Sequence, residues 1–187
     1  MTTARPLIVV ITGSECTGKT TLANELAAHF AAPCSPEHVR DYLDRKGMPL
    51  DASDVEGIAR GQVDVEDAAI AASTGLVIKD TDLVSTVVYS THYYGTCPDW
   101  IGRAARERRG DLYLLLTPDV PWIADGMQRD RPSGRAQLHD LFRHRLESLG
   151  ARFVEISGDW NARRTLALAA LSGGVRLDLQ SGVRLDL

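Results

Sequence analysis

The sequence lacks the features that define several large classes of protein. Its three cysteines, Cys16, Cys34 and Cys97, are odd in number and far apart, which excludes a disulfide framework and the ligand spacing of a zinc site. No apolar segment approaches the length of a membrane span. A core strand predicted from residue 6 leaves no room for a signal peptide. We therefore expect a cytoplasmic protein without a membrane partner.

An excess of positive charge is also missing. The chain carries 21 Lys and Arg against 25 Asp and Glu, so its net charge is −4 and no broad basic surface is available for nucleic acid. The local cluster of Arg103, Arg106, Arg108 and Arg109 has the pattern of a solvated helix face. We predict a small-molecule partner and no nucleic acid, whereas the oligomeric state does not follow from the composition.

Residues 13–20, GSECTGKT, are the most informative segment that is present. They match the phosphate-binding P-loop pattern G-x-x-x-x-G-K-[ST], between an apolar run at 7–11 and a helical pattern from 21 onward. Backbone N–H groups at the helix start point at phosphates, Lys19 can reach the β- and γ-phosphates, and Thr20 can ligate Mg²⁺. The predicted ATP contacts are Gly13, Glu15, Cys16, Thr17, Gly18, Lys19, Thr20 and Thr21, together with Arg135 from a later segment.

Apolar runs alternate with helical patterns along the rest of the chain. This alternation predicts an α/β fold with three layers, a parallel sheet flanked by helices, of the P-loop type. The predicted strands are 6–12, 32–35, 76–78, 112–116 and 152–156, and the main helices are 18–31, 51–73, 83–93, 98–109, 135–149 and 160–172. We predict one domain over 1–172. The sequence GVRLDL occurs twice within 173–187, which we predict to be a mobile tail or a small hairpin.

Acidic residues follow two of the predicted strands. Asp80 and Asp82 come directly after the strand at 76–78, where Asp80 can hold Mg²⁺ with Thr20, and Asp82 can contact substrate or cap the next helix. Glu37 follows the second strand and can accept a hydroxyl proton as a general base, with Arg40 one turn along to hold substrate or phosphate. The alternative for Glu37 and Arg40 is an exposed salt pair on a helix.

An arginine-rich segment at 122–135 follows the strand at 112–116. Its Arg129, Arg131 and Arg135 predict a lid that closes over the nucleotide and brings guanidinium groups to the transferring phosphoryl, with Arg129 and Arg131 ranked above Arg135. A polar surface loop is the alternative. The aromatic side chains Tyr89, Tyr93, Tyr94 and Trp100 could stack on a flat ring or pack in the core. No Asn-Lys-x-Asp motif is present, which argues against a GTPase.

Taken together, these motifs resemble the ribosylnicotinamide kinase domain of NadR-type proteins. The P-loop at 13–20 has that family's glutamate at its third position, and 37–42, EHVRDY, resembles its E-x-x-R-[ED]-[YF] segment. Residues 80–82 match its D-T-D, and 122–129, WIADGMQR, resemble its W-x-x-D-G-x-R segment. Order and spacing agree from about 7 to 171. Where the family has an aromatic residue before the glutamate, this chain has Pro36.

The resemblance implies a fold of the nucleoside and nucleotide kinase type. It implies that ATP and Mg²⁺ phosphorylate nicotinamide riboside to nicotinamide mononucleotide, with Tyr93 stacked on the nicotinamide ring. NadR proteins often carry helix-turn-helix and adenylyltransferase modules, and nothing here precedes the kinase-like part, so we expect a stand-alone kinase domain. The candidate catalytic residues are Lys19, Glu37, Asp80, Asp82, Arg129 and Arg131, and the candidate substrate contacts are Arg40, Tyr93 and Asp82. The alternatives are another kinase of this fold or a regulatory P-loop ATPase module.

Overall fold

A computed structural model describes residues 5–47, 49–121 and 134–178. Within these residues one sheet of five parallel strands has the order β2-β3-β1-β4-β5. The strands are β1 (Leu7–Gly13), β2 (Cys34–Ser35), β3 (Leu76–Asp80), β4 (Leu112–Leu116) and β5 (Phe153–Ile156). The parallel sheet confirms the predicted α/β fold.

Helices cover both faces of the sheet. They are α1 (Lys19–Phe30), α2 (His38–Lys46), α3 (Val55–Ala71), α4 (Leu83–Tyr94), α5 (Asp99–Glu107), α6 (Arg135–Ser148) and α7 (Trp160–Asp178), with a short 3₁₀ turn at Ala52–Asp54 before α3. Alternate residues of β1 face opposite layers: Ile8 and Val10 pack against α3, α4, α5 and α6, whereas Val9 and Ile11 pack against α1 and α7. A central strand buried on both faces explains why β1 is almost continuously apolar.

The last helix is longer than predicted. It extends to Asp178 rather than ending near 172, so residues 173–178, which include most of the first GVRLDL copy, continue α7. This differs from the predicted tail or hairpin, and residues 179–187 lie outside the described part of the chain. None of the described helices is both long and apolar enough to cross a membrane.

The register of the central strands places the predicted site. Ile11 of β1 lies beside Asp80 of β3, and Gly13 lies beside Leu116 of β4. All strands run in one direction, so their carboxyl ends meet at one edge, where ligands of such sheets bind. The loops after β1, β2 and β3, which carry most of the predicted functional residues, are therefore neighbours.

Candidate active site

The two fixed glycines of the P-loop are required by its geometry. Gly13 has φ 135°, and a Cβ there would lie 2.8 Å from the carbonyl oxygen of Leu116. Gly18 has φ 84° and begins α1, and a Cβ there would lie 2.1 Å from the ring of Trp160. Cys16, between them, also has a positive φ of 52°. The loop backbone therefore turns sharply beneath the helix start, as a phosphate cradle requires.

Two polar side chains of the P-loop bond to the backbone of the loop itself. Lys19 is buried, and its ammonium donates to the carbonyl oxygen of Ser14 at 3.0 Å. The hydroxyl of Thr17 donates to the same oxygen at 2.8 Å. Thr20 and Thr21 lie exposed in the first turn of α1. Lys19 is the first residue of α1, and the N-terminus of a helix favours a bound anion such as phosphate, whose charge the ammonium would also attract.

A buried arginine that sequence reasoning missed holds the P-loop from behind. Arg163 of α7 is fully buried and donates to the carbonyl oxygens of Thr17 at 3.0 Å, Thr117 at 2.9 Å and Gly158 at 2.7 Å. It also pairs with the carboxylate of Asp119. The only signal in the sequence was a basic residue within the final helical pattern, and that is equally typical of an exposed side chain.

The structure places Arg135 against the P-loop backbone. Its side chain is buried, with one Nη donating to the carbonyl oxygen of Cys16 at 3.1 Å and the other to that of Val120 at 3.0 Å. Arg135 therefore bonds to the loop that would hold the nucleotide, and its predicted contact with the nucleotide itself stays a prediction. Arg129 and Arg131 lie outside the described residues.

Thr20 and Asp80 form an oxygen-rich pair at the edge of the sheet. The Thr20 hydroxyl donates to Asp80 Oδ2 at 2.6 Å, and Asp80 Oδ1 is buried without a hydrogen-bond partner among the described residues. Burial raises the pKa of Asp80, and the negative charge of Glu37 raises it further, whereas the bond from Thr20 lowers it. Such a donor set suits Mg²⁺, which takes one or two protein oxygens and completes its shell with water and phosphate.

The structure does not bring Asp82 to the same place as Asp80. Thr81 has φ 73°, which turns the chain so that Asp82 becomes the N-cap of α4. One carboxylate oxygen accepts from the Val84 N–H at 2.9 Å, and the other accepts from the Tyr113 hydroxyl at 2.6 Å. Burial raises the pKa of Asp82, which is held away from the cavity described next. The helix-capping alternative therefore replaces its predicted catalytic and substrate roles.

A cavity of about 170 Å³ joins the P-loop to α2, α3 and α4. Lys19 lines it from the P-loop side, and Glu37 and Arg40 line it from α2. Arg40 Nε donates to Glu37 Oε2 at 2.9 Å, so the predicted salt pair exists and is part of the cavity wall. The Glu37 side chain is 13% exposed, against 48% for Arg40, which places the carboxylate deeper in the wall.

An aromatic wall closes the other side of the cavity. Tyr89, Tyr93 and Tyr94 line it, and the rings of Tyr89 and Tyr93 are parallel within 8° with centroids 6.0 Å apart. The Tyr93 hydroxyl donates to Glu15 Oε1 at 3.3 Å, which links this wall to the P-loop. Trp100 instead packs against the core and beneath the guanidinium of Arg60. Tyr93 therefore lines the cavity, where its predicted stacking on a substrate ring stays a prediction, whereas Trp100 packs against the core.

Comparison with known proteins supports this assembly. The sequence pattern of the AAA domain family matches residues 8–163. The chain belongs to the AAA domain family. It is also 32% identical over 161 residues to the trifunctional NAD biosynthesis/regulator protein NadR of Escherichia coli strain K12, and equally so to that of Salmonella typhimurium. Each match covers 83% of this chain but 39% of the relative, so the chain spans well under half of these curated proteins.

Solved structures extend the resemblance to three dimensions. A NadR protein in complex with NR superposes with a TM-score of 0.81 at 25% identity, over 98% of this chain and 54% of that one. Thymidylate kinase from Ehrlichia chaffeensis superposes with a TM-score of 0.65 at 16% identity, over 89% of this chain and 98% of that one, which shows a shared fold. The NadR-type resemblance predicted from the motifs is confirmed, as is the kinase-type P-loop fold.

Proposed function

We propose that the chain is an ATP-dependent kinase that phosphorylates a hydroxyl of a small nucleoside-like acceptor. One observation carries the proposal: Lys19 of the P-loop and the Glu37–Arg40 pair line the same cavity. A phosphoryl donor and a hydroxyl acceptor bound there would meet in one enclosed space. Holding the two reactants together in this way supplies a large part of the catalysis in phosphoryl transfer.

The side chains suggest a division of roles in this reaction. The acceptor hydroxyl loses its proton to Glu37 as its oxygen bonds to the γ-phosphorus, the bond from that phosphorus to the β,γ-bridging oxygen breaks, and ADP leaves. Arg40 holds the Glu37 carboxylate, and Lys19 lies where it can neutralise charge on the phosphates. Arg129 and Arg131 remain predicted lid residues. Their guanidinium groups would stabilise the transferring group and exclude water.

Thr20 and Asp80 are the residues that would hold Mg²⁺. The orphaned, buried Oδ1 of Asp80 and the hydroxyl of Thr20 provide the hard oxygen ligands that this ion prefers. When bound, the ion would neutralise charge on the phosphates of ATP.

Nicotinamide riboside is the acceptor that we infer. Its ring is flat and cationic, and the cavity offers the parallel Tyr89 and Tyr93 rings next to the carboxylate of Glu15. Aromatic faces attract such cations, and a nearby carboxylate strengthens the attraction. The similarity to NadR proteins, one solved with NR and another with NAD and AMP-PNP, supports the same acceptor. The product would be nicotinamide mononucleotide, an intermediate of NAD biosynthesis.

An ATP-consumption screen tests the proposal. The protein is incubated with ATP and Mg²⁺ and with nicotinamide riboside, other nucleosides, nucleoside monophosphates or no acceptor, and both ADP and the phosphorylated product are measured. Turnover with nicotinamide riboside alone supports the full proposal. Turnover with a different acceptor refutes the substrate and retains the kinase. Slow hydrolysis with no acceptor dependence, together with tight nucleotide binding, refutes the kinase and favours a regulatory ATPase module.

A further inference from the structure

The carboxylate of Glu37 does not cap the helix that Glu37 begins. Glu37 is the N-cap residue of α2, where an acidic side chain usually accepts a hydrogen bond from the first turn of its own helix. Within the described residues its side chain makes no such capping bond and pairs with Arg40 instead. A different side chain accepts from the first backbone N–H of α2.

That group is the side chain of Gln62 on α3. Gln62 is 2% exposed, and its Oε1 accepts the backbone N–H of His38 at 3.0 Å. Its Nε2 donates to the carbonyl oxygen of Pro36 at 3.5 Å, a long bond, and to Glu66 Oε1 at 3.4 Å. A backbone N–H can only donate, so the oxygen of the amide must face His38, which turns the nitrogen toward two acceptors. The amide thus contacts the chain on both sides of Glu37.

Gln62 is itself fixed by buried groups. The other oxygen of Glu66 accepts from the Lys79 ammonium at 2.6 Å, and both side chains are buried. Lys79 lies on β3, immediately before Asp80. The chain of bonds from Gln62 through Glu66 to Lys79 therefore ties the start of α2 to the strand that carries Asp80.

The packing around Gln62 adds a second constraint. A Cβ at Gly61 would lie 2.0 Å from the His38 ring, so the first residue of α2 rests directly on the backbone of α3. Helix α2 has no buried residue of its own. Polar contacts therefore hold α2: those of Gln62 at its start, and the bonds from the Tyr42 hydroxyl and the Lys46 ammonium to Asp54 further along.

We propose that Gln62 is a positioning residue for Glu37. By taking over the capping of α2 and bonding on both sides of residue 37, it leaves the Glu37 carboxylate directed at the cavity. The inference rests on the proposed function, since it assigns Gln62 a role in presenting the base of that reaction. Gln62 also lines the cavity, but both ends of its amide are bonded to His38, Pro36 and Glu66, so we assign its effect to the backbone around Glu37 rather than to contact with the reacting atoms.

A double-mutant cycle tests the coupling. Gln62→Leu removes both hydrogen-bonding groups at similar size, and we expect kcat to fall on the order of tenfold to a hundredfold with KM for ATP unchanged. In a Glu37→Gln background the same change should cost no more than about twofold, because the group that it positions is already lost. Gln137→Leu, on the exposed face of α6, is the matched control and should leave kcat unchanged. Equal losses in both backgrounds, or no loss in either, would overturn the proposal.

Amide hydrogen exchange supplies a measurement that does not depend on turnover. In Gln62→Leu the His38 amide should exchange at least tenfold faster, while the amides of the P-loop remain as in the wild type. Unchanged exchange at His38 would overturn the positioning role even if the kinase assay succeeds. Absence of turnover with every acceptor would refute the proposed function and leave this measurement standing. If Gln62→Leu does not fold, Gln62→Met, which is unbranched and adaptable in a core, is measured in its place.

Discussion

The two sides of the cavity are built in different ways. On the P-loop side, the carbonyl oxygens of Ser14, Cys16 and Thr17 accept from buried cationic side chains of Lys19, Arg135 and Arg163. On the other side, α2 has no buried residue and is held by Gln62 at its start and by bonds from Tyr42 and Lys46 to Asp54. On the P-loop side, buried cationic side chains therefore fix the backbone. On the α2 side, the cavity is lined by side chains of a helix that has no buried residue. Substitutions on the P-loop side should lower turnover with every acceptor. Substitutions on the α2 side should lower turnover to a different extent for each acceptor.

The largest effect is expected from Lys19→Ala, which removes the charged side chain at the centre of the P-loop side. Turnover should fall on the order of 10³-fold with every acceptor, because a preorganised donor to the phosphates is lost. Steady-state assays across acceptors measure the fall, and circular dichroism checks that the fold is kept. Retained activity would contradict the assignment of the P-loop as the site that binds the phosphates of ATP.

Glu37→Gln and Asp82→Asn separate the two acidic candidates by their surroundings. Glu37→Gln should lower kcat roughly 10²-fold while ATP still binds, because it removes the proposed base on the α2 side. Asp82→Asn should leave kcat near the wild-type value, because Asn can still cap α4 and bond to Tyr113. Both variants are compared at saturating acceptor and ATP. A severe loss of kcat in Asp82→Asn with an intact fold would return Asp82 to the catalytic set.

Arg163→Met tests whether buried charge fixes the P-loop side. The substitution leaves three carbonyl oxygens without their arginine donor and removes the ion pair with Asp119. We expect a loss of about 3 kcal/mol in the free energy of unfolding, with weaker ATP binding. Arg164→Met, the next residue on α7, is exposed and should change stability by less than about 0.5 kcal/mol. Urea unfolding and nucleotide titration measure the two effects. Similar results for both variants would contradict the role given to Arg163.

The smallest effect concerns Cys34, on β2 beside the strand that carries Asp80. Burial, and then the charge of Asp80, raise the pKa of its thiol from the usual 9.0 to about 11. Because the pKa of this thiol is higher in the folded chain than in the unfolded chain, its contribution to the free energy of unfolding is fully present below pH 9. That contribution is lost as the pH rises through about 11. In a variant with Cys16 and Cys97 replaced by serine, alkylation at pH 9 should be slower in the folded than in the unfolded chain. Equal rates would show that Cys34 is not shielded as described.

Local patterns were sufficient for much of the fold and for half of the site. The parallel sheet, the P-loop and the Thr20–Asp80 pair follow from contiguous motifs and from the rule that parallel strands end at one edge. Whether Asp82 contacts substrate or caps α4 did not follow, because it depends on the turn at Thr81, whose φ is 73°. This turn makes Asp82 the N-cap of α4, and the spacing of the two aspartates does not predict it.

The sequence by itself determined the phosphate-binding loop, because its glycines, its lysine and its flanking strand and helix act over a few consecutive residues. Only the tertiary structure decided what holds that loop and what presents Glu37. Arg163 reaches Thr17, and Gln62 reaches His38, from helices distant along the chain. Buried polar groups take whichever partners the packing brings within hydrogen-bond distance, and that proximity is a property of the folded chain rather than of any local pattern.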